Sequence, residues 1–171
     1  MFPYCCINLC NERFKKNDKY QDLRSSLEEY GIVLVKYGER NKHIFLKYRH
    51  LMQNFFLLDQ KIKNKYVRAD TNYQIGLTPK YKEKPIERSQ YDPKERFMYL
   101  VGSLKNLNIT ELNNYDKIVK ECVKEFQSIL SKVTNILAKS YGLESEYFSS
   151  KIDEAANILA TTGFDYSKKK K

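Results

Sequence analysis

The chain has 171 residues, the size of one ordinary domain and long enough to bury a real core. Its 42% apolar and 13% aromatic content excludes a disordered chain, because enough surface can leave water to offset the entropy of ordering. A net charge of +10, from 31 Lys and Arg against 21 Asp and Glu, gives a basic surface able to attract nucleic acid, anionic lipid or an acidic partner.

Residues 1–15 read as an N-terminal extension. MFPYCCINLC lacks the basic n-region and small-residue cleavage site of a signal peptide, and no segment holds the roughly 20 apolar residues needed to span a bilayer. A cytoplasmic chain with no membrane partner is expected. Cys5, Cys6 and Cys10 cluster here and Cys122 stands apart, which is neither the paired spacing of a zinc site nor a disulfide framework, so the thiols are read as reduced. Adding His43 to that cluster does not make a metal site, because vicinal cysteines seldom aim both sulfurs at one ion.

The next element is a helix over 16–30, with Asp18 as N-cap, Tyr20, Leu23, Leu27 and Tyr30 at helical spacing and Gly31 as its stop. Ile32, Val33, Leu34 and Val35 follow as a continuous apolar run, which predicts a strand buried on both faces. Over 39–58, Ile44, Phe45, Tyr48, Leu51, Met52, Phe55 and Phe56 recur every three or four residues and predict a helix with one broad buried face, Lys42, Lys47 and Arg49 lying opposite. Residues 61–93 show little periodicity and contain Gly76, Pro79, Pro85 and Pro93, the pattern of a loop-rich excursion. Tyr66, Tyr73, Tyr81 and Tyr91 lie in it among basic residues. They are read as covering the core edge with wet hydroxyls, in preference to stacking on nucleic-acid bases.

A short strand is expected near 97–101. Over 112–141 the positions Tyr115, Ile118, Val119, Cys122, Phe126, Ile129, Val133, Ile136 and Leu137 keep helical spacing up to Gly142, a helix of roughly 45 Å at the standard rise. Cys122 falls on its buried face, where a thiol packs rather than reacts. A shorter helix over 145–153 and a strand over 158–164 complete the domain, taken as 16–164. Residues 165–171 are a basic, disordered tail. The fold class is α+β and mainly helical, with long helices packed around a few short strands.

These segments carry a resemblance. Gly31-Ile-Val-Leu-Val followed by Tyr37-Gly38 resembles the "GFF.V.NHG" strand of the isopenicillin N synthase-like Fe(II)/2-oxoglutarate-dependent dioxygenases, with Lys36-Tyr37 in place of Asn-His. Asn54 to Lys63 is similar to the family's "FF.LP.EEK.K", lacking the Pro and the paired acids. The segment from Tyr73 to Pro79 resembles its "GY.P" loop with the glycine displaced to Gly76, and Tyr91 to Phe97 its "D.KE.F". Leu137 to Leu143, then Tyr147-Phe148, is similar to "LA..LGL....F". The likeness runs from about Asp22 to Phe164, with the motifs in the family's order.

The resemblance implies the N-terminal region of such an enzyme, truncated before the catalytic jelly roll. In the family, Fe(II) is held by a His-x-Asp pair and a distant His, and the 2-oxoglutarate carboxylate by an Arg-x-Ser. This sequence has only His43 and His50, no His-x-Asp, and Arg96 as its last arginine. Catalytic, cofactor-binding and metal-ligating residues are therefore expected to be absent, Fe(II) and 2-oxoglutarate being implied for the complete family alone. If a catalytic domain is supplied, Arg68 and Tyr73 are the expected substrate-side residues. The acidic pairs Glu28-Glu29 and Glu144/Glu146, at predicted helix ends, are read as capping or solvated groups. Three readings follow: an oxygenase fragment that is not catalytic alone; a binding module holding a protein or nucleic acid through its basic surface; or one half of a split non-haem iron oxygenase. An apolar face left open by a missing jelly roll predicts a protein partner or homodimer.

Overall fold

A computed structural model describes residues 6–9, 18–84, 91–153 and 156–164. The expected basic tail, 165–171, and most of the expected N-terminal extension lie outside the described residues. The chain falls into two compact units, Met1–Leu46 with Glu121–Ala155, and Lys47–Lys120 with Ala156–Lys171. The fold is α+β, with helices predominating over short strands.

In the first unit, α1 (Asp18–Tyr30) leads into β2 (Leu34–Lys36), which runs parallel to β1 (Cys6–Asn8) with Ile7 opposite Val35. Sequence reasoning missed β1 and expected the following apolar run to be buried on both faces. Instead Ile32 and Leu34 are 44% and 41% exposed, while Val33 and Val35 are half-buried. Successive side chains of a strand point to opposite faces, and among the described residues of this unit only one face is covered.

Helix α2 (Glu39–Leu57) begins here. Its Phe45 stacks on Phe126 of α4 (Tyr115–Ser140) with centroids 4.3 Å apart and meets Tyr37 edge-on at 5.1 Å, both favoured ring geometries. Asn41 donates its amide to Glu125 Oε2 at 2.5 Å. Glu28 accepts from Arg24 Nε at 2.8 Å and from the Tyr141 hydroxyl at 3.1 Å, bonds that hold its carboxyl below the usual range, Arg24 contributing most. α4 stops as expected at Gly142, whose φ of +69° suits glycine. The Leu143 N–H donates to the Ala138 carbonyl at 2.9 Å and the Gly142 N–H to Lys139 at 3.1 Å, the paired closing bonds of a Schellman cap. α5 (Tyr147–Asp153) follows, and Ile7, Leu23, Cys122, Val123 and Ala138 form the buried interior.

The second unit is built on an antiparallel sheet ordered β3 (Gly76–Thr78), β4 (Glu95–Leu100), β5 (Ile158–Gly163). Leu77, Phe97 and Thr161 stand in one cross-strand row. The second half of α2 packs on that face. Phe55, fully buried, meets Phe97 edge-on at 4.9 Å, and the Tyr48 hydroxyl hydrogen-bonds to Thr161 Oγ1. Each large side chain so buried contributes about 1.5–3 kcal/mol. At Gly163 a Cβ would lie 2.5 Å from the Phe56 ring, so the helix can approach only because that position has no side chain.

The segment expected to be loop-rich instead contains α3 (Gln60–Asn64), a 3-10 turn (Ala69–Thr71) and β3. Elements this short are set by caps and partners and leave no periodic trace. Asp59 caps α3 by accepting the Lys61 N–H at 2.7 Å. Lys63 then turns inward and donates to Glu95 Oε2 at 2.7 Å and to the Phe56 carbonyl at 3.2 Å, the two side chains only 5% and 3% exposed.

Candidate functional site

The most chemically equipped feature of the second unit is the turn that feeds β3. Its base is fixed by the Leu77 N–H donating to the Tyr66 carbonyl at 2.8 Å, beside a parallel bridge between Val67 and Leu77. The Arg68 carbonyl accepts from the Thr71 N–H at 3.2 Å, the Thr71 hydroxyl at 2.9 Å and the Tyr73 N–H at 3.2 Å. Asn72 and Tyr73 take left-handed φ values of 52° and 60° to complete the turn. The structure thus brings Arg68 and Tyr73, the two expected substrate-side residues, into one loop.

The Arg68 guanidinium is engaged by Asp70 in fork geometry, Nε to Oδ1 at 2.8 Å and Nη2 to Oδ2 at 2.6 Å. The pairing raises the guanidinium above its ordinary value and lowers the Asp70 carboxyl. Asp70 is 63% exposed, so water screens the pair, and an incoming planar carboxylate or phosphate could take its place on the fork. Tyr73 is half-buried with Lys82 Nζ 5.3 Å from its ring centre.

Beneath the turn stands Tyr66, 7% exposed, whose hydroxyl donates to Glu111 Oε2 and accepts the Thr110 N–H at 3.3 Å. The expectation of a wet hydroxyl fails here: this one closes the junction between the turn and the segment before α4. No sequence signal joins Tyr66 to Glu111, 45 positions away. The Tyr66 bond holds the Glu111 carboxyl below its ordinary value. Because the folded value is depressed, the contact contributes fully above the unfolded carboxylate range and is lost as pH falls through the folded value. Tyr66→Phe is therefore expected to lower the melting temperature at neutral pH. The gap between variant and parent should narrow as pH falls from the ordinary carboxylate range through the lowered folded value of Glu111; a constant gap across the titration would remove Glu111 from the account.

Tyr81 and Tyr91 are 61% and 53% exposed, and Lys84 Nζ lies 5.9 Å from the Tyr91 ring centre. The nearby cations are largely matched: Lys94 lies 2.7 Å from Asp92 and 3.6 Å from Glu83, and Arg96 3.0 Å from Glu83. His43 and His50 are both exposed on α2, about 10 Å apart along the helix. Among the described residues no three His, Cys, Asp or Glu side chains converge. Cys122 is fully buried, which pushes its thiol up to about 12, as its packing role requires; Cys6 is exposed, and Cys5 and Cys10 lie outside the described residues.

No family model and no curated protein matches the sequence. Solved structures do. A 2OG-Fe(II) oxygenase family protein from Caulobacter crescentus is similar over 95% of this chain and 56% of its own, at TM-score 0.80 and 17% identity. A full-length protein from Neurospora crassa, solved in complex with alpha-KG, is similar over 92% of this chain and 53% of its own, at TM-score 0.73 and 17% identity. The same protein with alpha-KG and thymine gives 93%, 54%, 0.73 and 16%. The chain has the fold of the N-terminal region of these oxygenases. It spans little more than half the length of the structures it resembles.

Proposed function

We propose that the chain is the N-terminal part of an isopenicillin N synthase-like 2-oxoglutarate oxygenase, not catalytic alone, whose iron and 2-oxoglutarate ligands are supplied by a jelly roll outside this sequence. The supporting observation is the pairing of 95% coverage of this chain with 56% coverage of the oxygenase it resembles. The ordered motifs from Gly31 to Phe148 agree with it. In the completed enzyme Arg68 and Tyr73 stand on the substrate side, Arg68 exchanging Asp70 for an acidic group of the substrate.

Purified chain given Fe(II), ascorbate and 2-oxoglutarate is expected to release no succinate above the metal-free blank. Iron-dependent turnover by the chain alone would overturn the reading. The sequence beyond Lys171, or an adjoining reading frame, is expected to encode a His-x-Asp and a distal His; their absence from both would count equally against it. The alternative, a binding module, draws on exposed Tyr81 and Tyr91 beside Lys82 and Lys84. Its mark would be salt-dependent binding of an oligonucleotide.

A further inference from the structure

Residues 79–84 and 91–94 form an arm that leads into β4. Its base is held by main-chain bonds around one residue: the Tyr81 N–H donates to the Asp92 carbonyl at 2.8 Å, and the Asp92 N–H donates to the Glu83 carbonyl at 2.8 Å. Tyr81 has a φ of +61°, in the left-handed region that Gly and Asn occupy at least cost and a bulky residue rarely takes. Its ring gains no burial in return, being 61% exposed, and Tyr91, next to the same bonds, is 53% exposed. Neither ring covers the core edge. A turn alone does not call for tyrosine at 81.

The charges of the arm are divided unevenly. Glu83 is taken by Arg96 at 3.0 Å and Lys94 at 3.6 Å, and Asp92 by Lys94 at 2.7 Å. The next acid, Glu95, is buried against Lys63. Lys80, Lys82 and Lys84 form no ion pair among the described residues, and Lys82 and Lys84 are exposed. These last two lie instead beside aromatic rings, Lys82 Nζ 5.3 Å from the Tyr73 ring centre and Lys84 Nζ 5.9 Å from that of Tyr91. The arm therefore sets cations without acids among exposed rings.

We propose that this arm binds single-stranded nucleic acid, Tyr81 and Tyr91 stacking on bases while Lys80, Lys82 and Lys84 meet the phosphates. The inference sharpens the binding-module reading, on which it rests, and does not depend on the oxygenase reading. Charge and shape together select the occupant. Three cations without acids call for a polyanion, and a single strand supplies with each phosphate a base whose face is open to a ring. A duplex keeps its bases stacked on one another and offers the tyrosines no such face. An acidic peptide matches the charge, but its carboxylates give the two rings nothing to stack on.

The probe is a fluorescein-labelled oligothymidylate of about 12 nucleotides, within the span that one such surface covers, titrated with the full 171-residue chain. A 5-iodouracil-substituted form is expected to crosslink to Tyr81 or Tyr91 of the unmodified chain. Tyr81→Asn and Tyr91→Ser should each weaken binding by about fivefold or more, the worth of one stacked base, and leave binding of a duplex of the same length unchanged. The triple variant Lys80→Gln/Lys82→Gln/Lys84→Gln should reduce the slope of log affinity against log salt by about 2, three single-strand phosphate contacts at about 0.7 each. Asn suits the left-handed φ at 81, so Tyr81→Asn is expected to melt no lower than the parent, which separates lost binding from lost fold. Parental binding by both tyrosine variants, with crosslinks elsewhere, would overturn stacking by the arm, and so would a fall in duplex binding to match. Equal competition by polyglutamate would also overturn it, assigning the lysines to an acidic protein partner. No binding at about 50 mM salt, where phosphate contacts are strong, would remove nucleic acid altogether and leave the oxygenase reading to its own test of succinate release.

Discussion

Lys63→Met is expected to destabilise the second unit by about 3–5 kcal/mol, the usual cost of leaving one member of a buried ion pair without its partner. The basis is geometric. Lys63 and Glu95 are buried to within a few per cent, their contact is 2.7 Å, and the Phe56 carbonyl accepts a second bond from the ammonium. Glu95 Oε1 has no hydrogen-bond partner among the described residues, so removing Lys63 leaves the whole carboxylate uncompensated in a dry place. Glu95→Leu, which strands the ammonium instead, should cost a similar amount. The double variant Lys63→Met/Glu95→Leu should be more stable than either single change, since a well-packed apolar pair can replace a buried ion pair at little cost. Urea unfolding of the three variants checks this. Additive losses in the double variant would mean that the pair is not the cause.

A second large effect is expected at Gly76. Its φ is +79°, where a side chain costs about 1–2 kcal/mol, and a Cβ there would sit 2.3 Å from the Tyr66 carbonyl oxygen and 3.0 Å from Leu107. That oxygen already accepts the Leu77 N–H, so it cannot retreat without opening the base of the Arg68–Tyr73 turn. Gly76→Ala should lower stability by well over the conformational term alone, and Gly102→Ala separates the two contributions. Gly102 has a φ of +76° but no atom within 4 Å of the added carbon, so only the backbone strain applies. Equal losses at the two sites, measured by thermal or urea unfolding, would show that the contact with Tyr66 is not decisive.

Much of the helical framework was legible in the chain. The spacing from Tyr115 to Leu137 and the glycine at 142 placed α4 to within three residues at its start and one at its end, because a long helix repeats its signal and a left-handed cap names its residue. The α2 face was legible for the same reason. What failed was pairing. β1 lies in a three-residue stretch without alternation, and the run from Ile32 to Val35 looked doubly buried because continuous apolarity cannot say how many faces have cover. At the candidate site, Arg68 and Tyr73 were found through motif likeness, but Asp70, Tyr66 and Glu111, which hold the turn, were not. Their roles come from partners brought together by the fold, and in the Tyr66–Glu111 case from across 45 positions. The "D.KE.F" likeness at Asp92 to Phe97 marked a real strand start, yet nothing in it disclosed that its glutamate is buried against Lys63.

The register of the sheet also bears on how the molecule is made. β3 and β4 are near in sequence and can pair early, but β4 meets β5 only through contacts as distant as Glu95↔Gly163, after α4 and α5 have been synthesised. Such distant closures are slow, because the loop entropy is lost before the contact returns anything. During translation β4 therefore waits with one edge bare, and Phe97 and Tyr99 are sealed only when β5 emerges. A nascent chain stalled anywhere between Leu100 and Ile158 would present that edge to its crowded surroundings, which makes this interval the part of its synthesis most dependent on chaperones.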